Sequence, residues 1–313
     1  MVLVLRPWGL LGRPEAEVPM PSAGLETDSV VRLRLPPWAG VGLLLALLAL
    51  PLVLATFPVW LMTEVLAFAL FAASLQLLVG TGGMMSFGHA AYFGLGAYGA
   101  ALLMKQGGLP MAAAFPLAPL LAGAAALLFG FFSVRLSGVY FAMLTLAFAQ
   151  IAFAVIHQWY DFTGGDNGIL GIWPAPSVAT PIRYFYLALF VAVVGFVLLW
   201  RVTGSPFGYG LRAARDHALR CQAIGINVRG LRLLAFVVAG VCAGMAGTIF
   251  VFLKGSAFPD YLSIPVSIES LVMVLLGGLH ALFGAPVGAL VYKVLDTVIT
   301  KYTGYWQAVL GGL

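Results

Sequence analysis

The sequence predicts an all-α polytopic membrane protein, a bundle of about nine membrane segments. Three observations predict it. Of 313 residues, 62% are hydrophobic and 9% charged, against about 45–50% and about 25% in soluble domains. Apolar runs near 20 residues, the length that crosses a bilayer, recur along the chain. The arginines gather in two stretches that flank those runs. The net charge of +5 is therefore read for orientation rather than as nucleic-acid affinity. Cys221 and Cys242 suggest packing, not a disulfide scaffold or a metal site.

Taken in order, residues 1–38 read as an N-terminal tail. Arg6, Arg13, Arg32 and Arg34 are interspersed there with prolines, and Glu15 and Glu17 interrupt any signal-peptide core. The remainder, 39–313, reads as one transmembrane domain. Its expected spans are roughly 39–60, 62–80, 86–105, 111–133, 138–158, 184–202, 231–253, 266–283 and 285–301. Pro51 is placed to kink the first, and the boundary near 61 is soft. Val309 to Leu313 reads as the start of a further apolar segment.

Orientation follows from Lys and Arg. Segment 201–232 holds Arg201, Arg212, Arg215, Arg220, Arg229 and Arg232, and the tail holds four more arginines. Both are expected in the cytoplasm, and the even number of spans between them agrees. Arg135 then falls inside on a short turn. The loop 157–183, with Asp161, Asp166 and Arg183, falls outside.

The stretch GTGGMMSFGHAAYFGLGAYGAALL, 80–103, is unusual. Small residues let neighbouring helices approach closely, which explains many of its glycines. Gly80 to Ser86 also reads as a non-helical break, and at membrane depth such backbone is tolerated only when buried in protein or lining a wet cavity. A second glycine-rich stretch, GGLHALFGAPVGALVY at 277–292, echoes it. An inverted repeat and plain close packing both account for the echo.

Candidate residues for a solute path are Gly82, Gly83, Ser86, His89, Tyr92, Gln150 and Glu269. His89 either meets substrate or is hydrogen-bonded structurally. Glu269 lies inside an apolar span, where an uncompensated charge costs roughly 2.5–3.5 kcal/mol, so it should face protein, a partner or water. Glu64, nearer a span end, reads as an interfacial side chain. Lys293 and Asp296 are spaced to pair on one helix face.

Residues 203–230 form the arginine-rich connection between spans. Gly204-Ser205-Pro206 marks a turn, and 211–224 reads as one amphipathic helix. Leu211, Ala214, Ala218, Cys221 and Ile224 share a side, and Gly225 ends it. A helix docked on a soluble partner and an inert membrane-surface helix both fit. No G-x-x-x-x-G-K-[ST] occurs, and no lysine follows a glycine, so the chain has no P-loop of its own. Neither H-E-x-x-H nor G-x-S-x-G occurs, which leaves membrane enzyme chemistry without support.

From about Leu66 onward the chain resembles the permeases of bacterial ABC importers for branched-chain amino acids, of the LivM type. The resemblance rests on 80–103, SGVYFAMLTLAFAQI at 137–151, TGGDNGILGI at 163–172, SPFGYGLRAARDHALRCQAIGINV at 205–228, and AFVVAGVCAGMAGTIF followed by SIESLVMVLLGGLHALFGAPVGAL. It implies an importer-type helical bundle with an inverted repeat, in the bacterial inner membrane. It implies a second permease subunit, a periplasmic solute-binding protein and two cytoplasmic ATPase subunits, which would use the ATP and Mg. This chain would carry no cofactor. Under the resemblance 211–224 is the coupling element, with Arg212, Arg215, Asp216, Ala218 and Gly225 as its key positions. Relatives also carry urea, short amides or aromatic acids. A secondary transporter or passive channel is the alternative reading.

Overall fold

The structure, a computed structural model, describes Gly42 and residues 45–51, 56–279 and 282–302. The predicted tail, parts of the first predicted span, His280 and the stretch 309–313 lie outside those residues.

The described chain is a helical bundle with a single two-stranded ribbon. Helix α1 (Thr56–Gln76) runs on through a π-helical stretch, Leu77–Thr81. This removes the soft boundary near 61. Pro58 falls in the first turn, where proline is tolerated, and no further Pro or Gly occurs before Gly80. Thr63 satisfies its hydroxyl by donating to the Val59 carbonyl at 2.8 Å. Helix α2 (Ala90–Lys105) begins later than the apolar run suggests, after a non-helical segment. Helices α3 (Met111–Ser133) and α4 (Gly138–Gln158) match their predicted spans. Next come α5 (Pro181–Gly204), two short helices α6 (Pro206–Asp216) and α7 (Ala218–Ala223), and the long α8 (Val228–Lys254). Helices α9 (Ile264–Gly277) and α10 (Gly284–Tyr302) close the order. Among the described residues, five helices are long and apolar enough to cross a membrane: α1 with its extension, α3, α4, α5 and α8.

The core forms where α8 meets α1, α2 and α3. A Cβ at Gly96 would run into the backbone of Gly244, and one at Gly247 would strike the Phe93 carbonyl. Here α2 and α8 touch backbone to backbone, as small residues permit. Phe71, Phe93 and Phe236 fill the space around this contact and are fully buried.

The helices alternate in direction, so the bundle has two ends. One carries the α3–α4 turn with Arg135, and α6 and α7. The other carries the connection after α4, where strand β1 (Ile169–Leu170) pairs antiparallel with β2 (Ser256–Ala257), Ile169 opposite Ala257. The Gly171 and Ile172 N–H groups donate to the Gly255 carbonyl at 3.0 and 2.9 Å, fixing the connection to the end of α8. From there the chain turns back into the bundle. Leu262 packs on Gly94, and the Ala90 N–H donates to Ser267 Oγ at 3.0 Å, so α9 supplies the cap that α2 lacks in its own sequence.

Candidate functional site

The non-helical segment between α1 and α2 is the centre of the site. Its exposure alternates. Gly83, Met85 and Phe87 face outward, while Gly82, Met84, Ser86 and Gly88 are buried. Gly83 adopts φ +64, in the left-handed region that glycine enters without strain. The Gly82, Gly83 and Met84 N–H groups return to the Leu77, Val79 and Leu78 carbonyls at 3.1, 3.2 and 2.9 Å. The segment is therefore an ordered loop; the break predicted at 80–86 is shifted, since Gly80 and Thr81 still belong to the π-helical stretch and the non-helical residues run from 82 to 89.

Helix α6 clamps this loop. Ser205 caps α6 by accepting from the Gly208 N–H at 3.5 Å, with Pro206 in the first turn. Leu211 and Ala214 bury one side of the helix. The Arg215 side chain crosses from α6 to α1 and donates from Nη1 to the Gly80 carbonyl at 2.6 Å. Its Nε donates to Asp216 Oδ1 at 2.8 Å. The aliphatic stem of Arg215 lies where a Cβ on Gly83 would be. Arg212 stacks over Tyr209, 4.6 Å from the ring centre, and donates to the Thr203 carbonyl at 3.1 Å. Both arginines are thus engaged within the protein.

The predicted single helix 211–224 is two helices. His217, at φ −147 and ψ 79, breaks it, and α7 starts at Ala218. The predicted apolar side fails accordingly. Leu211, Ala214 and Cys221 are buried and Ala218 is half-buried, but Ile224 is 76% exposed. Leu219, at 82%, is exposed beside it. Gly225 does end the second helix, at φ +87.

The remaining path candidates separate into two groups. His89 is fully buried, stacks on Phe71 with ring centres 5.4 Å apart, and lies 2.8 Å from Ser74 Oγ. Ser74 donates to the Phe71 carbonyl, so its oxygen accepts from His89 Nε2–H. Ser86 and Tyr92 are also buried; Gln150 is half-buried on α4. Tyr92 packs edge-on to Phe236 at 5.4 Å. Ser86, His89 and Tyr92 therefore sit in the packing under the loop, while Gly83 lies on its open face.

Glu269 belongs to a separate ion network. Lys293 lies 3.9 Å from Glu269, 3.4 Å from Glu64 and 3.8 Å from Asp296, and Lys254 lies 2.8 Å from Glu64. The Lys293–Asp296 pairing follows the predicted spacing. Glu64, read as an interfacial side chain, bridges two lysines between α1, α8 and α10, one of them Lys254 at the last position of α8. Lys293 also lies 3.8 Å from the centre of the Phe68 ring. The charges of this cluster thus compensate one another.

Sequence reasoning missed three contributors. Gln76 donates to the Leu279 carbonyl, tying the end of α1 to the α9–α10 turn. Ser267 caps α2. Arg232 donates to the Ala214 carbonyl at 3.4 Å. Only the small-polar character of Ser267 beside Glu269 hinted at an inward face. Among the described residues, no cluster of His, Cys, Asp and Glu could hold a metal ion.

Comparison with known proteins places these features in a family. A family model described as branched-chain amino acid transport system / permease component matches residues 57–313. The chain is 28% identical over 300 residues to the high-affinity branched-chain amino acid transport system permease protein LivM of Escherichia coli (strain K12), covering 87% of this chain and 71% of that protein. The same coverage holds for LivM of Salmonella typhimurium, at 27% identity. A shorter match, 26% over 148 residues, covers 45% of this chain and 41% of the autoinducer 2 import system permease protein LsrC of Klebsiella pneumoniae. No solved structure matches the chain. With its apolar helices and a match from Phe57 to Leu313, the chain is a multi-pass membrane protein that belongs to the permease components of branched-chain amino acid transport systems, of the LivM type.

Proposed function

We propose that the chain is a path-forming permease subunit of an ATP-driven importer in the bacterial inner membrane. Its solute is a branched-chain amino acid or a related small polar compound. The arginine end and the N-terminus face the cytoplasm. There α7 docks on a partner ATPase that consumes ATP and Mg, and α6 links it to the loop. A second permease subunit completes the path, and a periplasmic binding protein delivers the solute.

The observation that carries this reading is the Arg215–Gly80 hydrogen bond. A helix of the charged connection, seated on the core by Leu211, is also tied through the Arg215 side chain to the backbone carbonyl just before the break. Such a contact lets movement of α6 reach the loop without rearranging the core. Exposed Leu219 on α7 and exposed Ile224 just after it offer apolar contacts to a soluble partner.

The test is uptake of labelled leucine into liposomes that hold the chain with its partner subunits. Uptake that requires internal ATP and the binding protein supports the reading. Equal uptake without ATP, down a gradient, replaces it with a channel or secondary transporter.

A further inference from the structure

A cavity of about 480 Å³ opens beside the loop at the arginine end. Its walls are apolar: Met84, Phe87, Leu136, Val139 and Phe141 contribute to them. One cation, Arg232, lines it, and no acid does. Arg232 Nε is shielded from solvent and has no hydrogen-bond partner among the described residues. Among the described residues, its Nη2 donates to the Ala214 carbonyl, at 3.4 Å. A buried guanidinium N–H without an acceptor is costly, and the rest of the Arg232 side chain lines the cavity.

The cavity also has a defined depth. Leu136, Ser137 and Gly138 form part of its wall, and they lie in the turn between the spanning helices α3 and α4. That turn marks the boundary of the hydrocarbon layer, where lipid headgroups sit. Val139 is 70% exposed on α4, so the apolar walls continue to the exposed surface of the bundle.

We propose that this cavity binds an anionic phospholipid, with the phosphate on Arg232 and an acyl chain along Met84, Phe87 and Phe141. The charge pattern selects the ligand. A zwitterionic amino acid would bring an ammonium that no lining carboxylate receives. An anionic head with an apolar tail matches one guanidinium and an apolar wall. The inference is independent of the transported solute.

The experiment uses the full chain, stripped of lipid in detergent. Its thermal midpoint is titrated with phosphatidylglycerol, phosphatidylcholine, oleate or leucine. The expected result is a rise with phosphatidylglycerol well beyond that with phosphatidylcholine. Arg232→Gln should raise the half-saturating phosphatidylglycerol by about fivefold or more, whereas Arg135→Gln, which removes a cation stacked on Phe131 at the same end, should leave it unchanged. Ala142→Phe, which fills the cavity from α4, should reduce the response to both phospholipids. An Arg232→Gln response identical to wild type overturns the proposal. So does a rise with leucine matching that with phosphatidylglycerol. A rise with oleate but none with phosphatidylglycerol also overturns it, because a free carboxylate then occupies the site.

Discussion

Arg215 and Gly80 lie 135 positions apart in sequence, and the guanidinium of one donates to the carbonyl of the other at 2.6 Å. The bond joins α6 to the point where α1 gives way to the loop. The charged donor makes it stronger than a neutral hydrogen bond, about 1.5–3 kcal/mol. Under the importer reading, loss of this bond separates ATP use from transport. Arg215→Gln is expected to keep partner ATPase bound and hydrolysing, while solute moved per ATP falls roughly tenfold. Arg215→Lys, a point charge on a longer flexible stem, should recover part of the loss. Paired uptake and phosphate-release assays check this.

Gly83 is the loop residue least able to carry a side chain. Its φ of +64 alone puts about 1–2 kcal/mol on Gly83→Ala. The added methyl also meets the Arg215 stem. The variant should unfold at lower temperature and show the uncoupling of Arg215→Gln. Cys221 and Cys242 are both buried, so a thiol-reactive dye followed during heating reports the transition.

The ion network predicts non-additive losses. Glu64→Gln removes the bridge between Lys254 and Lys293, leaving Lys293 with more distant partners at 3.8 and 3.9 Å. The Glu64 side chain is 19% exposed, so the cost lies between surface and fully buried pairs, about 1–2 kcal/mol. Lys293→Met alone should also destabilise. The double variant should lose less than the two singles combined, as a thermal double-mutant cycle would show.

Ser74→Ala tests the packing under the loop. It strands the His89 Nε2–H in a fully buried site, for about 1–3 kcal/mol. Since Ser74 touches neither Arg215 nor Gly80 among the hydrogen bonds described, the ratio of solute moved to ATP used should hold in the protein that remains folded.

Much of this architecture is legible in the chain. Apolar runs located α3 and α4, and Gly80–Ser86 located the loop, because hydropathy and glycine act locally. Tertiary pairing was not legible. Arg215 belongs to a charge-rich helix, a pattern that suggests solvent, and only the fold brings it to Gly80. The break at His217 carries no Pro or Gly to announce it, so one helix was expected where two form and Ile224 was assigned to the wrong side.

The central claim is that 205–228 does two separable things: α7 meets the partner, and Arg215 ties α6 to the loop. The most direct measurement compares ATPase co-purification and solute uptake for Leu219→Glu with Ile224→Glu against Arg215→Gln. The account predicts that the α7 double variant loses the ATPase altogether, whereas Arg215→Gln retains it and loses uptake. If Arg215→Gln sheds the ATPase while the α7 variant keeps both binding and uptake, Arg215 is a docking residue and the internal tie is not the coupling route.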